Sequence, residues 1–550
     1  MMIRLTIFLL LSLAFKFNSV AQVPAYKEAV CRKVFNDIAQ AYGSSKNPPD
    51  FKLLPKGKIL MYYPGERPVI EMDVAVYDLC TKFGKDSLNA LAALIGHELA
   101  HHYEKHDWCS SFAYMLGSES ELAKSIKKSS AEQRLTFEAQ ADDFGGFYGY
   151  VAGYKTYDIT PRVIESLYAY YKMPEKIPGY PSKSDRKATA EKRIVELKKW
   201  ATIFDAAEYL FVMKEFSAAA GMLEYLADKF PSREILNNAG VCYFFAAMEY
   251  ADKKDMPFML PVDFDPNTRL KSFGTRSGSM SDEQMAAKRT ELMNKALRFF
   301  DLAIQRDPNY INAGINKACC QLMAGKTGTV TDFANELINS GSNKSNTALL
   351  SKAYTLRAIA LWQSDKRDGA IKDFNQAESI NTNALTRYNN EARKNLEKNA
   401  FESFVYFVYQ YFSDEGKKTT SAEKPVNADT EKIDGKNARQ LLPLDECSKL
   451  TLPAVDDMIM NHCAANYSGS YLIAQKGKQW SIAFANKGYA ANTSQSITIG
   501  SDTQMLKEKY GEPAYVVNML RGEYWVYQRA KIAFCIRQGK VEKWFISNSK

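Results

Sequence analysis

Histidine is scarce in this chain, with five residues in 550, and cysteine is little commoner, with nine at scattered positions. No two cysteines stand in a CxxC spacing, so a cysteine-based zinc site is not indicated. An odd number leaves at least one thiol unpaired and implies no dense disulfide framework. Cys447 and Cys463 are the one pair close enough in a small region to leave a bridge open, whereas Cys242, Cys319 and Cys320 fall in helical patterns as small buried hydrophobes. Concentrated charge of one sign is absent too. The formal net charge of +9 is spread through segments also rich in Glu and Asp, which excludes a basic nucleic-acid-binding face. Beyond the N-terminus no apolar run is long enough to cross a bilayer, so no transmembrane span is expected in the mature chain.

What is present is ordinary globular material: 46% hydrophobic and 25% charged residues exclude a largely disordered, collagen-like or multi-span membrane protein. At roughly 100–200 residues per domain the chain has room for about three or four. Met1 to Gln22 carries Arg4, an apolar run from Leu5 to Phe15 and the small-residue signature Ser19-Val20-Ala21. The run is about half of the roughly 20 residues a span needs, so residues 1–21 are expected to be a secretory signal peptide and the mature protein to be exported, periplasmic or secreted.

Residues 22–200 mix strand and helix signals. Ile70, Met72, Val74 and Val76 alternate with more polar positions, which predicts a strand over 69–77. Asp86 or Ser87 can cap the next helix, whose Leu88, Leu91, Ala92, Ile95 and Leu99 make one buried face. Residues 201–412 are almost wholly helical, in repeated pairs of amphipathic segments with small residues such as Ala218, Ala296 and Ala370 where helices must approach. They resemble tetratricopeptide repeats, interrupted by an insertion between Asp252 and Gln284 that contains PFMLPVDFDPNTRLKSFGTRSGS. Residues 413–438 are charged and poor in large apolar side chains, which predicts a flexible linker. Residues 439–550 read as a small β-rich α+β domain, with strands such as Ile532 to Arg537 and Val541 to Ile546 joined at Gln538-Gly539, and one helix over Thr503 to Tyr510. The expected whole is an α+β multidomain chain.

Gly96-His97-Glu98-Leu99-Ala100-His101 places two of the few histidines four residues apart inside the capped helix. Four residues are about one turn, so His97 and His101 project from one face and can present two imidazole nitrogens to one tetrahedral Zn2+. Glu98, beside them, can act as general base and acid on a metal-activated water. In a His-poor chain a chance HExxH is rare, and a buried helix makes uncompensated His and Glu costly unless they bind something. A catalytic zinc site needs a third protein ligand. Glu138 supplies it best, with Asp142 one turn further on as the acceptor that orients an imidazole, and Gly145, Gly146 and Gly149 continuing that helix with little bulk so that it can lie close to its neighbour. His102 lies about 100° around the helix from His101 and should face elsewhere. His106 suits packing or hydrogen bonding better than ligation, and His462 is remote.

The stretches LNALAALIGHELAHHYEKH, FEAQADDFG and YPSKSDR resemble the zinc endopeptidase family of HtpX-like and CAAX-prenyl proteases, with its soluble exported relatives, over roughly residues 50–200. His106, Glu138, Asp142, Pro181 and Arg186 match the later positions of that pattern in order. The resemblance implies a mainly helical zincin-like domain with a small sheet, one Zn2+ per chain and peptide-bond hydrolysis. Together with the repeats, it implies a place in envelope protein quality control. Two departures stand out. Tyr180 replaces the family's His before the proline, so a phenol would have to serve as the oxyanion donor, and the membrane spans are missing, which favours soluble substrates. Arg186 is expected to brace the site. Two functions follow. One is an exported zinc metalloendopeptidase that cleaves unfolded or extended protein segments, with the repeats recruiting substrates or protein partners and the strand over 69–77 holding peptide at its edge. The other is a non-catalytic or latent chaperone-like scaffold with a structural zinc site.

Overall fold

The computed structural model describes residues 23–56, 59–64, 66–106, 131–176, 182–251, 257–263, 281–397, 423–433, 435–440, 448–451, 458–464, 470–476, 482–485, 489–519 and 522–547. Residues 1–21, where a signal peptide is expected, Tyr180, Pro181, residues 413–422 and the Cys447–Cys463 pairing lie outside them. The chain is mainly helical with small sheets, an α+β arrangement, and it divides into two compact units within 1–198 and 199–550. Among the described residues, no helix is long and apolar enough to cross a membrane.

In the first unit, helix α1 (Ala25–Tyr42) buries Cys31, Val34, Phe35, Ile38 and Tyr42, a stripe at helical spacing. Strands β1 (Asp50–Leu54), β2 (Leu60–Tyr63) and β3 (Val69–Asp73) form a sheet in the order β1-β3-β2, with β3 parallel to β1 and antiparallel to β2. Ile70 and Met72 point into the core, as their alternation predicts. The strand is shorter than the sequence pattern suggests. Asp73 accepts a hydrogen bond from the Ala75 amide at 2.9 Å and caps helix α2 (Val74–Thr81), so the alternation through Val76 continues as helix. Both edges of β3 are covered, which removes the expected peptide-edge site on this strand.

Helix α3 (Ser87–Tyr103) packs on α1, α2 and β2, on α4 (Ala131–Val151) and on α5 (Thr160–Tyr170). It is therefore buried nearly all round from Ala90 to Tyr103, rather than on one face. Leu88, expected in the buried face, stands in the first turn before those neighbours begin and is 48% exposed. The crossing of α3 and α4 is made at Gly96 and Gly145: a Cβ on Gly145 would lie 2.5 Å from the Gly96 carbonyl carbon and 2.6 Å from the His97 amide nitrogen. The glycines thus allow backbone to meet backbone, at the propensity cost that glycine carries inside a helix. Helix α6 (Lys183–Val212) closes the unit with its first half, where Ser182 and Asp185 form reciprocal capping bonds.

The second unit begins with the other half of α6 and continues through α7 (Phe216–Lys229), α8 (Arg233–Met248), α9 (Asp282–Arg306), α10 (Ile311–Met323), α11 (Thr327–Asn339), α12 (Thr347–Gln363), α13 (Arg367–Ile380) and α14 (Ala384–Glu397). From α7 onward each helix packs on the next, and α8, α10, α12 and α14 also touch one another in series, forming one row. Ala218, Ala296 and Ala370 are buried at helix contacts, and Cys242, Cys319 and Cys320 are buried as well. Strands β4 (Ser448–Thr451), β5 (Met458–Ala464) and β6 (Ser470–Lys476) form a three-stranded antiparallel sheet.

The C-terminal strands β7 (Ile482–Ala485), β8 (Tyr515–Met519), β9 (Gly522–Tyr527), β10 (Ile532–Arg537) and β11 (Lys540–Ser547) form an antiparallel sheet in the order β7-β11-β10-β9-β8, with helix α15 (Thr503–Tyr510) as read from the sequence. This sheet docks on α6. Tyr209 stacks on Phe545 at 4.3 Å, Tyr524 donates to Glu208 at 2.9 Å, and Lys543 pairs with Asp205 at 2.7 Å in a buried contact. Residues 423–433 and 435–438 differ from the flexible linker expected over 413–438: Ile433 and Ala438 enter the sheet's core. Glu431 is fully buried, accepting from Tyr510 and from the Ser494 amide and hydroxyl. Composition alone hid this, because a few apolar and acidic anchors suffice to fasten a polar segment.

Candidate metal centre

His97 and His101 leave the same side of α3, and Glu138 reaches them from α4 across the glycine contact. All three are buried, and one ligand atom from each lies within 4.8 Å of the others. The His97 and His101 Nε2 atoms are 3.1 Å apart, and Glu138 oxygens lie 3.4 Å and 3.7 Å from them respectively. Bonds of about 2.0–2.1 Å at tetrahedral angles place ligand atoms roughly 3.4 Å apart, so these separations fit a zinc-sized ion. This group can hold a metal ion.

The neighbours set each ligand's lone pair. Asp142 Oδ1 sits 2.7 Å from His97 Nδ1, so that nitrogen carries the proton and Nε2 faces the centre as a donor to metal. His101 has a longer relay. Its Nδ1 is 3.1 Å from His106 Nδ1, while His106 Nε2 is 3.0 Å from Gln140 Oε1. The amide oxygen accepts from His106 Nε2–H, which leaves His106 Nδ1 to accept from His101 Nδ1–H and frees His101 Nε2 to ligate. His106, 1% exposed and packed on Phe137, is thus a hydrogen-bonding residue, as its spacing suggests. Arg186, from the first turn of α6, holds Glu138 at 3.3 Å.

Electrostatics agree with a site that attracts positive charge. Burial lowers the His97 imidazole, but bonds to Asp142 and Glu138 outweigh it and lift it to about 10, so a proton on Nε2 faces Glu138 until a metal ion displaces it. Burial also raises Glu138, yet Arg186 and His97 hold it well below the usual carboxylate range. His101 is pushed down by burial and by His97. Glu98, 1% exposed, accepts from the Tyr62 amide at 2.8 Å, and burial pushes it up to about 7 against the pull of His97.

The structure brings together His97, Glu98, His101, Glu138, Asp142 and Arg186. His102 faces away, as its angle on the helix predicts. It is buried, with Nε2 2.8 Å from the Asn47 carbonyl and Nδ1 3.2 Å from the Tyr62 hydroxyl. Sequence reasoning missed Gln140 and the Tyr62 amide. The position of Gln140 on the ligand helix, midway between Glu138 and Asp142, is the signal that could have found it, whereas nothing local marks Tyr62. The sequence matches no protein-family model and no curated protein.

Two substitutions separate ligand from orienter. Glu138→Ala removes a donor atom and is expected to strip zinc at concentrations of chelator that Asp142→Ala still withstands, the latter losing about 10–100-fold in affinity. Equal retention, measured by competition with a zinc chelator, would defeat the assignment. His106→Leu is expected to weaken zinc by about tenfold through loss of the His101 relay. Unchanged affinity in the same titration would show that His101 needs no such support.

Proposed function

We propose that this protein is an exported zinc-dependent endopeptidase that cleaves extended segments of protein substrates. Glu98 carries the reading: a buried carboxylate beside the ligand group, anchored by one backbone amide and shifted toward neutrality, is superfluous to a purely structural metal site. It is what a general base and acid requires. Zinc, when bound to His97, His101 and Glu138, supplies a Lewis acid that acidifies water and polarises a carbonyl.

The chain's own residues do the rest. Glu98 takes a proton from the attacking water and returns it to the leaving amine, a cycle favoured by a pKa near working pH. The Tyr62 amide holds one of its oxygens and so orients the other. Asp142 and His106 keep both imidazoles in the ligating tautomer. Arg186 keeps Glu138 ionised and in place. The family resemblance and the N-terminal apolar segment support the assignment to exported proteases, with the helical array recruiting substrates or partners.

The test is incubation of zinc-replete protein with an unfolded protein substrate, with peptide release followed by mass spectrometry. Cleavage that stops on chelation and returns with zinc is the expected result. Zinc-bound protein that releases no peptide would leave the scaffold reading instead.

A further inference from the structure

The insertion that breaks the repeat pattern has a location that its sequence does not reveal. Helices α8 and α9 pack directly on each other, yet residues 249–281 join them, far more than the about 2–8 residues such a connection needs. Within that stretch Pro257–Asp263 is non-helical and non-strand, and it lies against α10, α12 and α14 of that row. It is held through its main chain. Asn389 of α14 accepts from the Met259 amide at 2.7 Å and donates to the Met259 carbonyl at 2.9 Å. Asn316 of α10 repeats the pattern on Asp263, at 3.1 Å and 3.0 Å, and is itself positioned by Asn237 of α8 at 2.8 Å. Tyr388 donates to the Pro257 carbonyl at 3.3 Å.

Two side chains add selectivity. Phe258, 4% exposed, sits with its ring 4.9 Å from Phe374 and 5.4 Å from Trp362, and the Asp263 carboxylate pairs with Lys352 of α12. An amide side chain that bonds both the N–H and the C=O of one residue reads backbone and tolerates any side chain there. Such pairs, repeated along a row of array helices, can hold an extended peptide by its backbone on the kind of extended surface that repeat arrays present.

We propose that this face of the array is a binding site for an extended protein segment, and that Pro257–Asp263 occupies it in cis as a displaceable plug. The incoming partner segment has the same chemistry: an aromatic residue for the Phe374–Trp362 pocket, two main-chain amide groups four residues apart, and an acidic side chain at the second of them for Lys352. The site is independent of hydrolysis, so its success or failure leaves the metal centre's reading untouched.

The probe is a fluorescein-labelled, end-blocked peptide with the sequence of residues 257–263, added to the full chain carrying Glu98→Gln so that nothing is cleaved. Fluorescence anisotropy gives the affinity. Phe258→Ala with Asp263→Ala loosens the plug and leaves the receiving residues intact; it is expected to bind the peptide at least about tenfold more tightly than the chain with its plug unaltered. Asn389→Ala in that background is expected to cost about tenfold, and so is methylation of the peptide's Met amide nitrogen. Equal binding with and without the loosening substitutions, or indifference to the methylated amide, overturns the proposal. Replacement of residues 253–280 by a short Gly-Ser linker is the second check. A retained helical melting transition and peptide binding support a plug, whereas loss of the transition shows an integral fold element and overturns it.

Discussion

Glu98→Gln is expected to retain zinc and lose about a thousandfold in peptide hydrolysis, within the range that removal of a general acid–base commonly costs. The substitution is nearly isosteric, and the carbonyl oxygen of the introduced carboxamide can still accept from the Tyr62 amide, so the local hydrogen bond survives. None of the three ligand atoms changes. What disappears is the ability to take a proton at the active centre and give it back. The measurement is kcat/KM on an unfolded substrate beside the zinc content of the same preparation. Hydrolysis at the parent rate with zinc bound would refute the role of Glu98, and with it the strongest support for an enzyme.

The second large effect is expected far from any ligand atom. Gly145→Ala should abolish tight zinc binding and destabilise the first unit by roughly 1–3 kcal/mol or more, because the added methyl meets backbone. Its Cβ would stand 2.5 Å from the Gly96 carbonyl carbon and 2.6 Å from both the Gly96 oxygen and the His97 nitrogen, none of which can rotate aside. The two helices must separate. His97 follows Gly96 on one helix and Glu138 is carried by the other, so the ligand atoms separate with them. Gly146→Ala is the matched control: its Cβ would meet the Leu197 Cδ1 at 3.0 Å, the end of a flexible side chain. Calorimetric zinc titration of both variants decides the matter, and a Gly145→Ala protein that binds zinc as tightly as its Gly146→Ala counterpart would count against the crossing as the device that assembles the site.

The parts of the site that were legible in advance lie within one helical turn of each other. His97 and His101 share a face, and Glu138 and Asp142 share another, because four residues return the chain to the same side of a helix. The low bulk at Gly145 signalled close approach for the same local reason. Alternation in Ile70 and Met72 located a strand, but the pattern could not show its end, since Val74 and Val76 fit a strand or a helix equally and the Asp73 cap decides between them. The edge site expected on β3 failed because strand order depends on which segments pair, which periodicity does not carry. Leu88 failed because a buried stripe ends where its neighbours end. The segment described at 423–433 and 435–438 has the composition of a linker because its anchors, Glu431 and Ile433, are outnumbered by solvated residues.

Residue order along the chain was enough to locate the helix that carries His97, Glu98 and His101, the spacing of the candidate ligands, the helical array with its interrupting insertion, and the C-terminal helix and hairpin. Each is a short-range pattern of periodicity, capping or turn chemistry. Only the tertiary structure decided that the Tyr62 amide grips Glu98, that Gln140 and His106 stand behind His101, and that Met259 lies on Asn389, 130 residues away. Those contacts join residues whose separation along the chain leaves no local trace, and they exist because packing brings backbone polar groups into places where each must find a partner.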